Sequence, residues 1–436
     1  MRQKIAIVGG GWAGMACAVE LAQYGHAVTV YEAAKQLGGR ARSVNWEGLM
    51  IDNGQHLMMG AYQHTMRILN LIHGEQPPSP SLQSMPLQLI NPEFHLRVGK
   101  FPAPLHLASG LLFARGLTLR EKWAAIRFMQ QLQALNFVLP ADQSVSDLLA
   151  HHNQPTHLIN KLWSPICIAA LNTPLKQASA QIFCHVLRDT LTGSQRNSDL
   201  VMNRCDLNTL MADAAKNAIT AVNSEVKLAS KVKRISRHAD GFFLHGPDQV
   251  FTQVVIATHP VHLPSLLAEL PAMDEIITQV SAFTWQPILT LWLHFAAALK
   301  FPFPMFGLGD SSAPWAFERN DIAPGVVSLV MSAEGPHLAL PPQVLRDEYL
   351  NLLTRHLGHL PTLLKWKTII EKRATFCCTP NMKRPSNITP VEGIYLAGDY
   401  TREMDPTQAY PATLEGAIRS GARCAQLITL KLEAEN

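Results

Sequence analysis

The sequence predicts an α/β protein, with a discontinuous Rossmann-like dinucleotide-binding domain and a separate α+β domain for the substrate. Two patterns carry the prediction. A strand, a glycine-rich turn and a helix open the chain, and a second strand, glycine-acid turn and helix follow at Ile394 and beyond. Between them lie helix-period and strand-like stretches with no internal repeat, enough in a 436-residue chain for two or three domains.

Each element follows from local residues. Lys4 to Val8 reads as a short buried strand, Gly9-Gly10-Gly11-Trp12-Ala13-Gly14 as the turn, and Met15 to Tyr24 as the helix. A second strand, Ala27 to Tyr31, ends at Glu32. Gly9, Gly11 and Gly14 stand at G-x-G-x-x-G spacing, which lets backbone N–H groups approach a pyrophosphate at the positive end of a helix. Glu32 can accept hydrogen bonds from an adenosine ribose. Six residues later Gly38-Gly39-Arg40-Ala41 forms a second turn, whose Arg40 suits bidentate phosphate pairing or, more plainly, a solvated surface.

Val226 to Ser236 and Val254 to Thr258 read as strands, the second followed by His259-Pro260. Ile394 to Ala397 reads as another, followed by Gly398-Asp399, then Tyr410-Pro411-Ala412-Thr413 opening a helix to about Leu430 with Pro411 in its first turn. The N-terminal N–H groups of such a helix favour an anionic ring beyond the strand.

The dinucleotide domain is therefore expected from residues 1–75, 203–262 and 388–436, and the substrate domain from 76–202 and 263–387. In the latter, Leu119 to Phe137 is helical with Thr118 and Glu121 as a capping box, 287–294 and 325–332 are strands, and 342–357 is a helix. Proline-rich stretches at 77–86 and 302–304 mark boundaries.

Composition excludes several classes. With 47% hydrophobic and 16% charged residues the chain is globular and apolar, and a net charge of +4 without a basic run gives no support for nucleic-acid binding. Seven cysteines without a spaced framework point to reduced thiols and a cytoplasmic location. No H-E-x-x-H or C-x-x-C occurs, so no metal is expected.

G-G-R-A after the acidic residue, together with A-G-D and a P-A-T-x-E-G-A helix, resembles the FAD-dependent amine oxidase and phytoene desaturase superfamily. The resemblance implies FAD as cofactor, with Gly9, Gly11, Gly14, Glu32, Gly39, Arg40 and Asp399 in its site and the Val232 backbone at the adenine. D-N-G-Q-H-L-M-M-G-A-Y from Asp52, and L-W-S-P-I-C-I-A-A-L-N-T-P from Leu162, are similar to the squalene-associated members, the hydroxysqualene dehydroxylases. That implies an apolar isoprenoid substrate, hydroxysqualene, reduced by hydride from flavin.

Under this reading His56 is the candidate proton donor and Asp52 its orienting partner. Trp12, Tyr62, Trp163 and Tyr400 are either core residues or the walls of a cavity that tolerates a cation. Asn172 either orients the substrate oxygen or forms a turn before Thr173-Pro174. Rival readings are a carotenoid-type desaturase, an amine oxidase and a prenyl-lipid carrier without flavin. No second G-x-G-x-x-G marks a nicotinamide site, which leaves the electron donor unidentified. Residues 101–119, edged by Lys100, Arg115 and Arg120, fit either a segment that dips peripherally into a membrane or a buried amphipathic helix.

Overall fold

A computed structural model describes residues 4–74, 81–99, 101–102, 105–309, 313–405 and 408–434. The 75/76 boundary, prolines 77–80 and Lys100 lie outside the described residues.

A five-stranded parallel sheet forms one half. Its strands run, edge to edge, Glu225–Lys227, Val28–Tyr31, Ile5–Val8, Gln253–Ile256 and Ile394–Leu396. Side chains alternate across it, as strand geometry requires. Ile5 and Ile7 pack with helices Trp12–Gln23, Asp213–Thr220 and Leu414–Ala434; Ala6 and Val8 join the opposite core with Phe242, Leu244 and Phe251 of a three-stranded antiparallel sheet. Helices Trp12–Gln23 and Leu414–Ala434 touch backbone to backbone, because a Cβ on Gly421 would lie 2.1 Å from the Ala13 carbonyl oxygen.

The other half has an antiparallel sheet ordered Met305–Gly307, Trp315–Glu318, Val326–Ser332, Trp285–Phe295 and Leu363–Phe376. Leu289, Leu291 and Leu293 bury one face against helix Pro342–Leu357 through Leu345, Tyr349 and Leu353. Trp292 packs with Trp46, Ile51 and Val326, so the opposite face meets the hairpin that leads away from the glycine-rich turns. A helical layer between residues 105 and 191 packs around Phe128, Leu148, Trp163 and Phe183.

Two elements differ from expectation. Val226 to Ser236 is not one strand: Glu225–Lys227 joins the parallel sheet, the chain turns, and Arg234–His238 starts the antiparallel one. Ala229, at φ 50°, and the bonds from Ala229 N to Ala34 O and Ser230 N to Glu32 O hold that break. The helix expected from Pro411 begins at Leu414, where the Thr413 hydroxyl accepts from Gly416 N at 3.1 Å. The Thr118–Glu121 capping box is present, on a helix spanning Leu119–Ala134. The strand Leu363–Phe376, with 14 residues the longest, had no counterpart in the sequence reading because polar and apolar residues mix along it.

Candidate active site

The cofactor cradle is built mainly from backbone. Gly9 adopts φ 112° and donates its N–H to Tyr31 O, turning the chain from strand to helix. A Cβ at Gly14 would lie 2.0 Å from Gly9 O, so only glycine lets the helix start this close to the strand. Gly38 N bonds Gly10 O at 2.9 Å, and a Cβ on Gly39 would sit 3.2 Å from Gly11 Cα, which stacks the second glycine turn on the first. The Trp12 indole donates to Ala41 O at 2.9 Å, so Trp12 clamps these turns as a core residue.

Glu32 accepts from Gly10 N at 2.7 Å and Ala34 N at 2.8 Å, placing its carboxylate beside the turn. Arg40 reaches across to Asp399, Nη2 to Oδ1 at 2.7 Å, and also donates to Ala374 O. The first and last motifs of the sequence thus meet through an ion pair. Among the described residues, Val232 N–H has no acceptor. Thr258 Oγ1, His259 Nε2 and Tyr400 OH are buried without a partner, and each belongs to a turn leaving a sheet strand. Glycines that permit close approach, an arginine, a free backbone donor and unpaired polar atoms fit a bound dinucleotide, which would satisfy such groups.

Beyond this cradle lies the turn Gly54-Gln55-His56. Gly54 sits against strand Trp285–Phe295, where a Cβ would come 3.8 Å from Thr290 Oγ1. Burial and the Arg40 charge push the His56 imidazole down to about 4, so it is neutral at pH 7. Among the described residues its ring has no hydrogen-bond partner.

Asp52 is not that partner. It is fully buried and accepts from Ser43 Oγ, Asn203 Nδ2 and Leu207 N, and it lies 3.6 Å from Arg319. Arg319, also fully buried, pairs with Asp321 at 3.0 Å and donates to Gln55 Oε1 at 2.7 Å. Ser328 Oγ donates to the same Gln55 oxygen, and Gln55 Nε2 bonds the His56 carbonyl. The carboxylate expected to orient His56 instead anchors an arginine that braces the turn from behind.

Several other expected roles change. Trp163 is 2% exposed, donates to Gln154 Oε1 at 2.9 Å and packs edge-on against Phe128, so it is core rather than cavity wall. Asn172 ends a helix at φ 46°, donates to Thr375 Oγ1 and Pro287 O, and accepts from Ala333 N at 2.6 Å, so its amide is committed to tying helix to sheet. Tyr400 is buried beside Gly398 at the cradle, away from the apolar cavity. Tyr62 is half-buried, and burial and the Glu415 charge push its hydroxyl well above the usual range, against a hydrogen bond with Thr413 that pulls it down. Sequence reasoning missed Arg319, Gln55, Thr258 and His259. His259 stacks on Trp285 at 4.3 Å and, like His56, falls to about 4 through burial and Arg40. Its position straight after a buried run in V-V-I-A-T-H was the available signal.

A mainly apolar cavity opens between helix Ser164–Leu171 and the second sheet, lined by Pro165, Ile168, Ala169, Trp315, Val330 and Met331, with Asn91 and Ser332 as uncharged polar members. Trp315 and Val330 pack against the same buried cluster, Met85, Leu200, Met202, Met305 and Phe317, as Leu57 and Met59 just after His56.

The fold and cradle define a flavin-dependent oxidoreductase. A family model described as flavin containing amine oxidoreductase matches residues 12–429, and the chain belongs to that family, with FAD as cofactor. It is similar to the hydroxysqualene dehydroxylases of Rhodopseudomonas palustris, at 27% identity over 98% of this chain and 99% of the relative, and Sinorhizobium fredii, at 26% over 98% of each. Cyclohexylamine oxidase from Brevibacterium oxydans superposes with TM-score 0.69 at 16% identity, covering 99% of this chain and 100% of that one. That likeness shows the fold alone.

Proposed function

We propose that the protein reductively removes the hydroxyl of hydroxysqualene to give squalene. The observation that carries this reading is the cavity's chemistry. Among the described residues its lining contains no ionisable side chain, which suits a long uncharged hydrocarbon, whereas an amine arriving as ammonium would find no carboxylate there to offset its desolvation. Near full-length similarity to two hydroxysqualene dehydroxylases supports the same substrate.

When bound, reduced flavin supplies hydride to carbon. The residues of the chain have three tasks. Gly9, Gly11, Gly14, Gly39, Glu32, Arg40, Asp399 and the Val232 backbone hold the cofactor. The apolar cavity excludes water from the carbon skeleton. The hydroxyl must leave as water, so the site delivers one proton to oxygen. His56 is neutral at pH 7, and we assign it a hydrogen bond to the departing oxygen, with protonation relayed from solvent through a ring that charges only near pH 4.

The test is an anaerobic incubation of FAD-loaded protein, chemically reduced, with 12-hydroxysqualene, beside oxidised protein with phytoene-type polyenes. Squalene from the first mixture alone is expected. Desaturated product from the second alone would overturn the reading in favour of a carotenoid-type desaturase. In the productive mixture, His56→Ala should lower turnover by about 10²-fold or more if the ring contacts the oxygen.

A further inference from the structure

Six of the eighteen large hydrophobic side chains exposed among the described residues fall within 23 positions: Phe101, Leu105, Leu112, Phe113, Leu119 and Trp123. Phe113 is 78% exposed and Trp123 68%. Phe101 precedes, and the other five lie on, two consecutive helices, Leu105–Leu112 and Leu119–Ala134, and the turn between them. These helices already have an inner apolar face: Leu111, Ala125, Phe128 and Leu132 are buried in the core. The outward residues are a second apolar surface, and core packing does not explain them.

The same stretch is basic. Arg115, Arg120 and Arg127 are exposed, whereas the one acid between residues 101 and 127, Glu121, is buried in its capping box and bonded to His157. Lys122 caps the first helix by donating to Leu112 O at 2.6 Å, which fixes the two helices side by side. Leu119 and Trp123 are one turn apart on one stripe, with Arg127 one turn further.

The patch connects to the cavity. Arg115 and His95 exchange backbone hydrogen bonds at 2.9 and 3.1 Å, and a Cβ on Gly116 would lie 2.1 Å from Glu93 O. Both contacts are to the hairpin of strands Gln88–Ile90 and His95–Arg97, whose turn residue Asn91 lines the cavity.

We propose that this surface docks on a lipid bilayer containing anionic headgroups, seating Phe113 and Trp123 at the interface so that apolar substrate enters the cavity past the hairpin. Charge selects this occupant: anionic lipid complements the arginines, whereas a second copy docking on the same patch would set arginine against arginine. Aromatic side chains favour the interfacial depth at which arginines meet headgroups. The proposal deepens the hydroxysqualene reading in one respect, the source of substrate.

The test is flotation of FAD-loaded protein with vesicles of phosphatidylcholine alone or mixed with phosphatidylglycerol. Binding to the mixed vesicles is expected, weakened by salt. Phe113→Ser with Trp123→Ser should reduce it about tenfold or more. Arg115→Glu with Arg120→Glu should abolish the preference for phosphatidylglycerol. All four side chains are exposed, so flavin absorbance and melting should stay as in the parent, and turnover of detergent-dispersed substrate should too. Absence of vesicle binding, or binding that neither double variant alters, overturns the proposal. So does a dimer, seen by light scattering, that the aromatic variant dissociates. Because flotation requires no turnover, a failed dehydroxylation assay would leave this result readable.

Discussion

Two arginine–aspartate pairs flank the candidate site and differ in their surroundings. Arg40–Asp399 joins the second glycine turn to the turn after the last sheet strand, and the Arg40 side chain is 30% exposed. Arg319–Asp52 is sealed at 0% exposure on both sides, with Asp321 and Gln55 completing the arginine's contacts. The open pair can exchange a partner for a ligand phosphate, whereas the sealed one can only hold shape. On the proposed reading the same chemistry serves binding at one place and architecture at another, and burial decides which.

The sharpest way to break this comparison is Arg319→Met. It leaves Asp52 without its countercharge in the interior and Asp321 with only Arg204 at 3.4 Å, and we expect a loss of about 3–5 kcal/mol, read as a lower denaturant midpoint. Adding Asp52→Asn should recover part of that loss, because coupled neighbours are non-additive. An unchanged midpoint for the single variant would make the network dispensable.

Next in size is Arg40→Ala. It removes a charge-assisted contact from the cradle, and FAD affinity should fall roughly 10–100-fold in a fluorescence titration of apoprotein. Apoprotein stability should move by less than about 1 kcal/mol, since the pair is partly solvated. A large loss of apoprotein stability would put this pair in the sealed class.

A smaller effect comes from pH. His56 and His259 titrate near 4 when folded and near 6.5 when unfolded, so between those values the unfolded chain binds more protons. Stability should be complete above about pH 6.5, decline as pH falls toward 4 and then level off in these two contributions. His56→Gln with His259→Gln should flatten the slope of denaturation midpoints between pH 7 and pH 5. At the bottom of the scale, Lys431→Ala removes a pair with the exposed Glu392 and should move the midpoint less than any variant above.

The cradle was legible in the sequence because it depends on backbone conformation. Only glycine satisfies Gly9 at φ 112° or Gly14 packed on Gly9 O, so spacing alone located them. Four strands of the parallel sheet could be read for a similar reason, being short apolar runs, whereas the exposed edge strand Glu225–Lys227 was merged with its neighbour. Asp52 was misassigned because nearness in sequence to His56 stood in for contact. Its partners are Ser43, Asn203, Leu207 and Arg319, and the last three come from more than 150 positions away. For Trp163 and Asn172 the sequence left two readings open, since whether an indole faces a cavity or Phe128 depends on tertiary packing. The outward aromatics at Phe113 and Trp123 were ambiguous for the opposite reason. An amphipathic pattern shows that a helix has an apolar face, and only the structure shows a second one left uncovered.

The backbone contact between Gly421 and Ala13 has a consequence for biosynthesis. The helix carrying Gly421 closes on the helix that follows the first glycine turn, so the earliest motif translated cannot take its final form until one of the latest has been made. At ordinary elongation rates of about 5–20 residues per second, the nascent Gly9–Gly14 turn waits tens of seconds for its neighbour. During that wait the apolar side of helix Trp12–Gln23 that the later helix covers stays open to solvent.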